Sequence, residues 1–231
     1  MQTLAHDLRA MAIEAGASHA GVADLAGVYE AWHESWEKEA CGGQMLTGLA
    51  ICVPEDDELL DALPATDDDY RTSHYNEKIA SAVEIGDRMV ERLDQEGFTA
   101  HRLSHPPKNG TTGLYKMVAH LAGIGWIGKN RLLITPERGP RVALAAVLTD
   151  APLPPTAKQP MADGCEDCTD CIDVCPVHAF SYEPLQLERS LDGFDTGICA
   201  LNRGTINPTL WGGCGLCMKV CPYGLAEGKS E

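Results

Sequence analysis

The stretch CEDCTDCIDVCP, residues 165–176, indicates the kind of metal centre in the carboxyl-terminal third of this chain. Its cysteines follow the spacing C-x2-C-x2-C-x3-C-P, which is typical of iron–sulfur proteins with two clusters. In such a run, three closely spaced thiolates hold one [4Fe–4S] cluster, and the fourth cysteine ligates the other cluster. Zinc sites use cysteine pairs separated by a longer loop, so this spacing favours iron–sulfur clusters over zinc.

A second, altered run follows in WGGCGLCMKVCP, residues 211–222, where Trp211 stands at the position of a first cysteine. Cys199 is the only other cysteine nearby, and it completes a set of eight thiolates for two [4Fe–4S] clusters. If Cys199 is not a ligand, the second cluster would be a three-iron or an oxygen-ligated cluster. The crossed ligation of such runs assigns one cluster to Cys165, Cys168, Cys171 and Cys221, and the other to Cys175, Cys199, Cys214 and Cys217.

Charge and composition restrict the remaining function classes. The chain has 231 residues and a formal net charge of −16, so nucleic acid is an unlikely partner for its surface as a whole. The first residues, MQTLAHDLRA, contain no apolar run, which predicts a soluble cytoplasmic protein without a signal peptide or membrane span. Cys41 and Cys52 lie far from the two runs, and we expect both to be structural.

Hydrophobic periodicity predicts an amino-terminal α/β domain over residues 1–150, a proline-rich linker over 151–160 and a cluster domain over 161–231. Within the first domain, the acidic segment 55–69 is predicted to be a loop. The predicted helices cover residues 2–15, 28–40, 74–97 and 111–123. The predicted strands cover residues 19–25, 46–54, 98–103, 131–136 and 141–150.

The stretch AGIGWIGKN, residues 122–130, has the G-x-G-x-x-G order of dinucleotide-binding loops. It follows a predicted helix and precedes a predicted strand, whereas a dinucleotide loop requires the reverse, so a Rossmann site is disfavoured. The glycines also suit a turn at the end of a helix. The surrounding segment, residues 97–149, is basic, with Glu137 as its only acid. Its bases either form salt bridges to the acidic remainder of the chain or line a pocket for an anionic cofactor.

The order helix–AGIGWIGKN–LLITPERG–strand–LTDAPLP–cysteine run resembles the epoxyqueuosine reductases and, more distantly, the corrinoid-dependent reductive dehalogenases. The resemblance implies a short member without a carboxyl-terminal repeat domain. It also implies an α/β (α+β) nitroreductase-like amino-terminal domain that holds cobalamin, followed by a bacterial dicluster ferredoxin-like domain that feeds electrons to cobalt. The corrin contacts it implies are Gly125, Trp126, Gly128 and Lys129, together with Asn109, which stands where the family has a proton-donating aspartate.

The resulting hypothesis is a cobalamin-dependent oxidoreductase that acts on a small molecule or on another corrinoid. Tyr75 and Tyr115 are its candidate proton donors, and Lys116 is their candidate charge partner. A low-potential ferredoxin or flavodoxin would supply its electrons. The alternatives are a pure electron carrier without cobalamin, a flavin-binding relative, and an epoxyqueuosine reductase of tRNA modification.

Overall fold

A computed structural model describes residues 1–28, 45–62, 68–103, 114–181, 194–201 and 214–225. The predicted helix over 28–40, Cys41, Asn109 and Trp211 lie outside these described residues, apart from residue 28. Six helices and strands come first: α1 Gln2–Glu14, β1 His19–Asp24, β2 Thr47–Pro54, α2 Asp57–Asp61, α3 Asp68–Gln95 and β3 Ala100–Arg102. The others are α4 Leu114–Leu121, β4 Trp126–Ile127, β5 Leu133–Ile134, β6 Val142–Thr149, α5 Asp170–Asp173, α6 Thr196–Leu201 and α7 Leu216–Lys219.

The described residues up to 150, here called the α/β region, are built on an antiparallel sheet with the strand order β1-β2-β6-β3. The full lengths of β2 and β6 pair, with Thr47 opposite Thr149 and Pro54 opposite Val142. Nearly every residue of β2 is buried, because helices cover both faces of the sheet. Alternate residues of a strand face opposite sides, so Leu49 packs towards α1 and α3 while Ala50 packs towards α4.

The helix boundaries follow local signals that the sequence carries. Chain segments after α1 and α3 turn at Gly16 and Gly97, whose φ angles of 101° and 84° are accessible to glycine at little cost. The acidic segment predicted as a loop instead contains the short helix α2. Asp56 caps this helix by accepting hydrogen bonds from the backbone N–H groups of Glu58 and Leu59. Among the described residues, no helix is both long and apolar enough to cross a membrane.

The proline-rich stretch 151–160 is attached to the edge of the sheet. The side chains of Ala151 and Leu153 are buried. Val22 of β1 donates to the Thr156 hydroxyl at 2.7 Å, and the Thr156 backbone N–H donates to the Val22 carbonyl at 2.9 Å. This stretch therefore continues the packing of the α/β region up to the residues that precede the cysteines.

The described residues from 161 onward, here called the cysteine-rich region, contain only the short helices α5, α6 and α7. Their apolar cluster is small and consists of Ile172, Cys175, Ala179 and Phe180, with the Phe194 ring stacked on Phe180 at 4.8 Å. A second small cluster, Trp126, Ile134 and Cys221, spans the two regions. The cysteine-rich region therefore contacts the α/β region through the hairpin β4–β5.

Candidate iron–sulfur centre

One group of thiols surrounds a single cavity. Its volume is about 20 Å³, and all of Cys165, Cys168, Cys171 and Cys221 line it. Burial raises the pKa of the Cys221 thiol to about 12, and the charges of the other three cysteines act on it in the same direction. Residues from the first and the second cysteine run therefore meet at one point of the fold.

A second group forms around Cys217. Burial raises the pKa of this thiol above its usual range, and the charges of Cys214, Cys199, Cys171 and Cys175 add to the effect. The pKa of Cys199 is raised by burial and then by Cys214 and Cys175. Because the charge of Cys171 also raises the pKa of Cys217, the two groups of thiols are neighbours.

The chemistry of both groups suits a polynuclear cluster. Thiolates are the ligands of iron–sulfur clusters, and metal binding must displace the thiol protons. In their free state these buried thiols resist ionisation, so the positive charge of bound iron would be needed to stabilise the thiolates. Among the described residues, no three cysteine, histidine or acidic side chains converge as ligands of a single metal ion would. In a [4Fe–4S] cluster, by contrast, each thiolate binds its own iron.

The glycine loop, residues 122–130, is filled by the protein's own atoms. Gly123 turns the chain after α4 with φ 74°, as the helix-end interpretation requires. A Cβ at Gly125 would collide with the carbonyl oxygen of Ile134, and one at Gly128 would lie 2.7 Å from the Ile134 side chain. Strand β5 thus accounts for the need for glycine at both positions. Corrin contact there stays a prediction.

Side chains of the same loop bind the cysteine-rich region. The indole N–H of Trp126 donates to the Cys165 sulfur at 3.4 Å. The Lys129 ammonium group donates to the carbonyl oxygens of Glu166 at 2.6 Å and Cys168 at 2.9 Å. The side-chain amide of Asn130 donates to the Cys217 carbonyl at 3.1 Å. The loop therefore contacts a sulfur of the first group and the backbone of the second group.

The described bases of the segment 97–149 are engaged with protein partners. Arg102 pairs with Asp87. Arg141 is only 1% exposed, and its guanidinium group contacts Asp61 at 2.8 Å, Asp57 at 3.3 Å and the Lys219 carbonyl at 3.4 Å. These contacts favour the salt-bridge interpretation of the basic segment over a pocket for an anionic cofactor.

Two of the candidate catalytic residues, Tyr115 and Lys116, are adjacent in α4. Lys116 is half-buried, and its ammonium group donates to the Arg131 carbonyl. Burial lowers the pKa of Lys116 to about 8, and the charge of nearby Cys217 opposes that change. The Tyr115 side chain is buried in the apolar core that α4 forms with the sheet. Tyr75 belongs to α3, but its side chain lies outside the described part of the structure. Catalytic roles for these three residues stay predictions.

The sequence patterns do not identify Glu55 and Arg141 as buried charged residues. Glu55 is 6% exposed, its Oε1 atom has no hydrogen-bond partner, and burial raises its pKa to about 8. Arg141 was counted only as one base in a basic segment. Nothing local marks either residue, because the burial of Glu55 and the acids around Arg141 come from distant parts of the chain.

Comparison with known proteins identifies the cysteine-rich part. Residues 164–225 match the family described as "4Fe-4S dicluster domain". The epoxyqueuosine reductase of Bacillus anthracis is 38% identical over 114 residues, which are 46% of this chain and 28% of that protein. The tetrachloroethene reductive dehalogenase of Dehalobacter restrictus is 31% identical over 150 residues, which are 64% of this chain and 26% of that protein. The chain therefore spans well under half the length of these curated relatives.

Solved structures show the same fold. The catabolic reductive dehalogenase NpRdhA, in complex with 3-bromo-4-hydroxybenzoic acid, matches with a TM-score of 0.72 at 21% identity over 94% of this chain and 31% of that one. The epoxyqueuosine reductase of Streptococcus thermophilus matches with a TM-score of 0.60 at 21% identity over 96% of this chain and 66% of that one. The mixed α/β fold with a dicluster domain is confirmed, while the nitroreductase-like label stays a prediction. The chain is thus an iron–sulfur protein with a 4Fe–4S dicluster domain, related to both the epoxyqueuosine reductases and the reductive dehalogenases.

Proposed function

We propose that this chain is a reductase in which two [4Fe–4S] clusters deliver electrons to an acceptor at the α/β region. The observation that carries the proposal is the pair of neighbouring cysteine groups, of which the loop 122–130 contacts the Cys165 sulfur and the Cys217 carbonyl. Clusters held by these cysteines would lie next to each other and to the α/β region, as a path for electrons requires. In this proposal, a low-potential ferredoxin or flavodoxin supplies those electrons.

The proposed ligand sets follow the two thiol groups. Cys165, Cys168, Cys171 and Cys221 hold the first cluster, and Cys175, Cys199, Cys214 and Cys217 hold the second. This division is supported by the pKa values of Cys221 and Cys199. The only cysteine charges that raise each of them come from members of the same set. When bound, such clusters accept and release single electrons, at potentials set by net charge, hydrogen bonds to sulfur and solvent exposure.

We propose a corrinoid as the acceptor, because a neighbouring reductive dehalogenase structure is described as suggesting a mechanism for B12-dependent dehalogenation. Corrin contact by the loop 122–130 stays a prediction, because the described contacts of this loop are with the protein itself. Gly125 and Gly128 face Ile134, while Trp126 and Lys129 face the cysteine-rich region. The corrinoid is therefore proposed only as an acceptor that the chain reduces, and no residue of this loop is assigned to it.

One anaerobic experiment tests the proposal. Protein loaded with iron and sulfide is reduced and mixed with cob(II)alamin, and the absorbance change on formation of cob(I)alamin is followed. We expect reduction by the wild type and slow or absent reduction by Cys199→Ser, which lacks one cluster. Addition of NADH to cob(II)alamin, without the reduced protein, should produce no change in absorbance. Failure of a fully iron-loaded protein to bind or reduce cobalamin would contradict the corrinoid proposal.

Two alternatives have their own observations. An electron carrier without cobalamin is favoured by the loop side chains that face the clusters rather than an open cleft. It predicts electron transfer to a redox protein but no change in the cobalamin spectrum. Epoxyqueuosine reduction is favoured by the relative from Bacillus anthracis. An epoxyqueuosine reductase would convert an epoxyqueuosine-containing tRNA stem loop. The net charge of −16 disfavours binding of such a nucleic acid.

A further inference from the structure

We propose that Trp126 raises the reduction potential of the cluster held by Cys165, so that the α/β region sets the potential of the first cluster. The proposal rests on the ligand sets proposed above. It gives Trp126 a role as a tuning residue that acts through a cluster ligand, in place of a contact with a corrin ring.

The indole ring is held firmly in position. Trp126 is 5% exposed, and its backbone lies in β4 opposite Ile134 of β5. The Tyr223 ring packs edge-on against it at 4.7 Å with an interplanar angle of 81°. The Tyr223 hydroxyl in turn donates to the Gly164 carbonyl at 2.9 Å, and any Cβ at Gly164 would press on the indole at 2.8 Å. The indole N–H is therefore directed at the Cys165 sulfur by packing on several sides.

A hydrogen bond to a ligating sulfur favours the reduced cluster. Reduction adds an electron, and part of that negative charge resides on the sulfur atoms. A fixed N–H donor stabilises the extra charge, and hydrogen bonds to sulfur are among the established determinants of cluster potential.

Both thiol groups accept hydrogen bonds from backbone N–H groups a few residues away along the chain. In the second group, Cys175 accepts from the backbone N–H of Ala179 at 3.3 Å. Cys165 of the first group accepts from Trp126, which lies 39 residues away in the α/β region. Lys129 adds a positive charge beside the first run through Glu166 and Cys168. The side-chain hydrogen bond from Trp126 to a sulfur therefore acts on the first cluster, while the contact of the same loop with the second group is to the Cys217 carbonyl.

The test is a potentiometric titration, followed by electron paramagnetic resonance, of Trp126→Phe and its parent. Phenylalanine keeps an aromatic ring against Tyr223 and removes the N–H donor. Iron content and cluster spectra are measured first, so that a wrong ligand set is recognised separately. We expect the potential of the first cluster to become more negative while that of the second cluster, the internal control, stays constant. An unchanged first potential, or an equal shift in both clusters, would overturn the proposal.

Assigning the shift requires the clusters to be separated. In the Cys199→Ser background the first cluster is observed alone, and the same negative shift is expected there. If Trp126→Phe does not retain iron, the hydrogen bond is tested in protein that keeps Trp126 and carries ¹⁵N-labelled indole. The reduced first cluster should then show a hyperfine coupling to indole nitrogen that survives in Trp211→Phe. Absence of this coupling would equally overturn the proposal.

Discussion

In the α/β region, helices α1 and α3 on one face and α4 on the other bury an eight-residue central strand almost completely. The described cysteine-rich region buries only a handful of apolar side chains around Ile172 and Phe180. Burial of apolar surface is the main driving force of folding, so the first region has a core of its own. We therefore expect the second region to depend on iron–thiolate bonds and on its contacts with the α/β region, which include the loop 122–130 and Arg141. On this basis, only the first region should keep its fold without metal.

The largest expected effect comes from removing iron. Anaerobic chelation should unfold the cysteine-rich region while β2 and β6 stay folded, because metal binding supplies folding free energy where the core is small. Hydrogen exchange of the loaded and chelated protein is the measurement. Amides of α5 and α7 should lose protection and those of β2 and β6 should keep it. Equal loss of protection in both regions would show that the α/β region also depends on the clusters.

Substituting single cysteines should affect one cluster at a time. The wild type should contain about eight iron atoms, and Cys199→Ser should reduce this to about four, because one of two four-iron clusters is lost. The matched control is Cys52→Ala, since Cys52 is buried within β2 and lies outside both thiol groups. Its iron content should equal that of the wild type. Two intact clusters in Cys199→Ser would show that the crossed ligand assignment is wrong.

The junction between the regions is tested with glycine substitutions. Gly125→Ala should destabilise the α/β region by about 3 kcal/mol, the upper range for overpacking, because the new Cβ collides with the Ile134 carbonyl. Gly27→Ala is the control, since a Cβ there meets no atom within 4 Å. Urea unfolding monitored by circular dichroism compares the two variants. Equal stabilities would indicate that β5 moves away from the loop at little cost.

The smallest effect concerns Glu55 and the pH dependence of stability. Its pKa is raised from 4.5 to about 8, mainly by burial, with Lys78 and Arg138 opposing and Asp56 adding to the shift. Between these values the unfolded chain has lost the proton and the folded chain retains it, so stability decreases as pH rises and levels off above about 8.

Glu55→Gln should remove this decrease. The gain over the wild type should grow from pH 5 to pH 8, by at most about 1.4 kcal/mol for each pH unit, the limit for one proton bound on folding. Anaerobic urea unfolding at several pH values measures it. A gain that is independent of pH would mean that the Glu55 carboxyl group is not what titrates.

Local patterns in the sequence predicted much of this protein. Helix α1, the strands β1, β2 and β6, and the glycine-terminated end of α3 were expected within a few residues, because periodic burial and helix-ending glycines are properties of short segments. The start of α3 at Asp68 was not expected, since it lies within the acidic segment predicted as a loop. The iron–sulfur chemistry was also evident, since cysteine spacing along the chain limits which metal centres can form. The helix α2 was missed because its cap, Asp56, is one of many acids in that stretch.

The roles of the glycine loop and the basic segment depend on long-range contacts. The partner of Gly125 is the backbone at Ile134, the partner of Trp126 is Cys165, and the partner of Arg141 is Asp57, 84 residues away. Close packing and charge compensation depend on which distant residues the fold brings together. Local sequence patterns therefore predicted the metal chemistry and the helices and strands. The contact of the loop 122–130 with both the sheet and the cysteine-rich region arose from long-range packing.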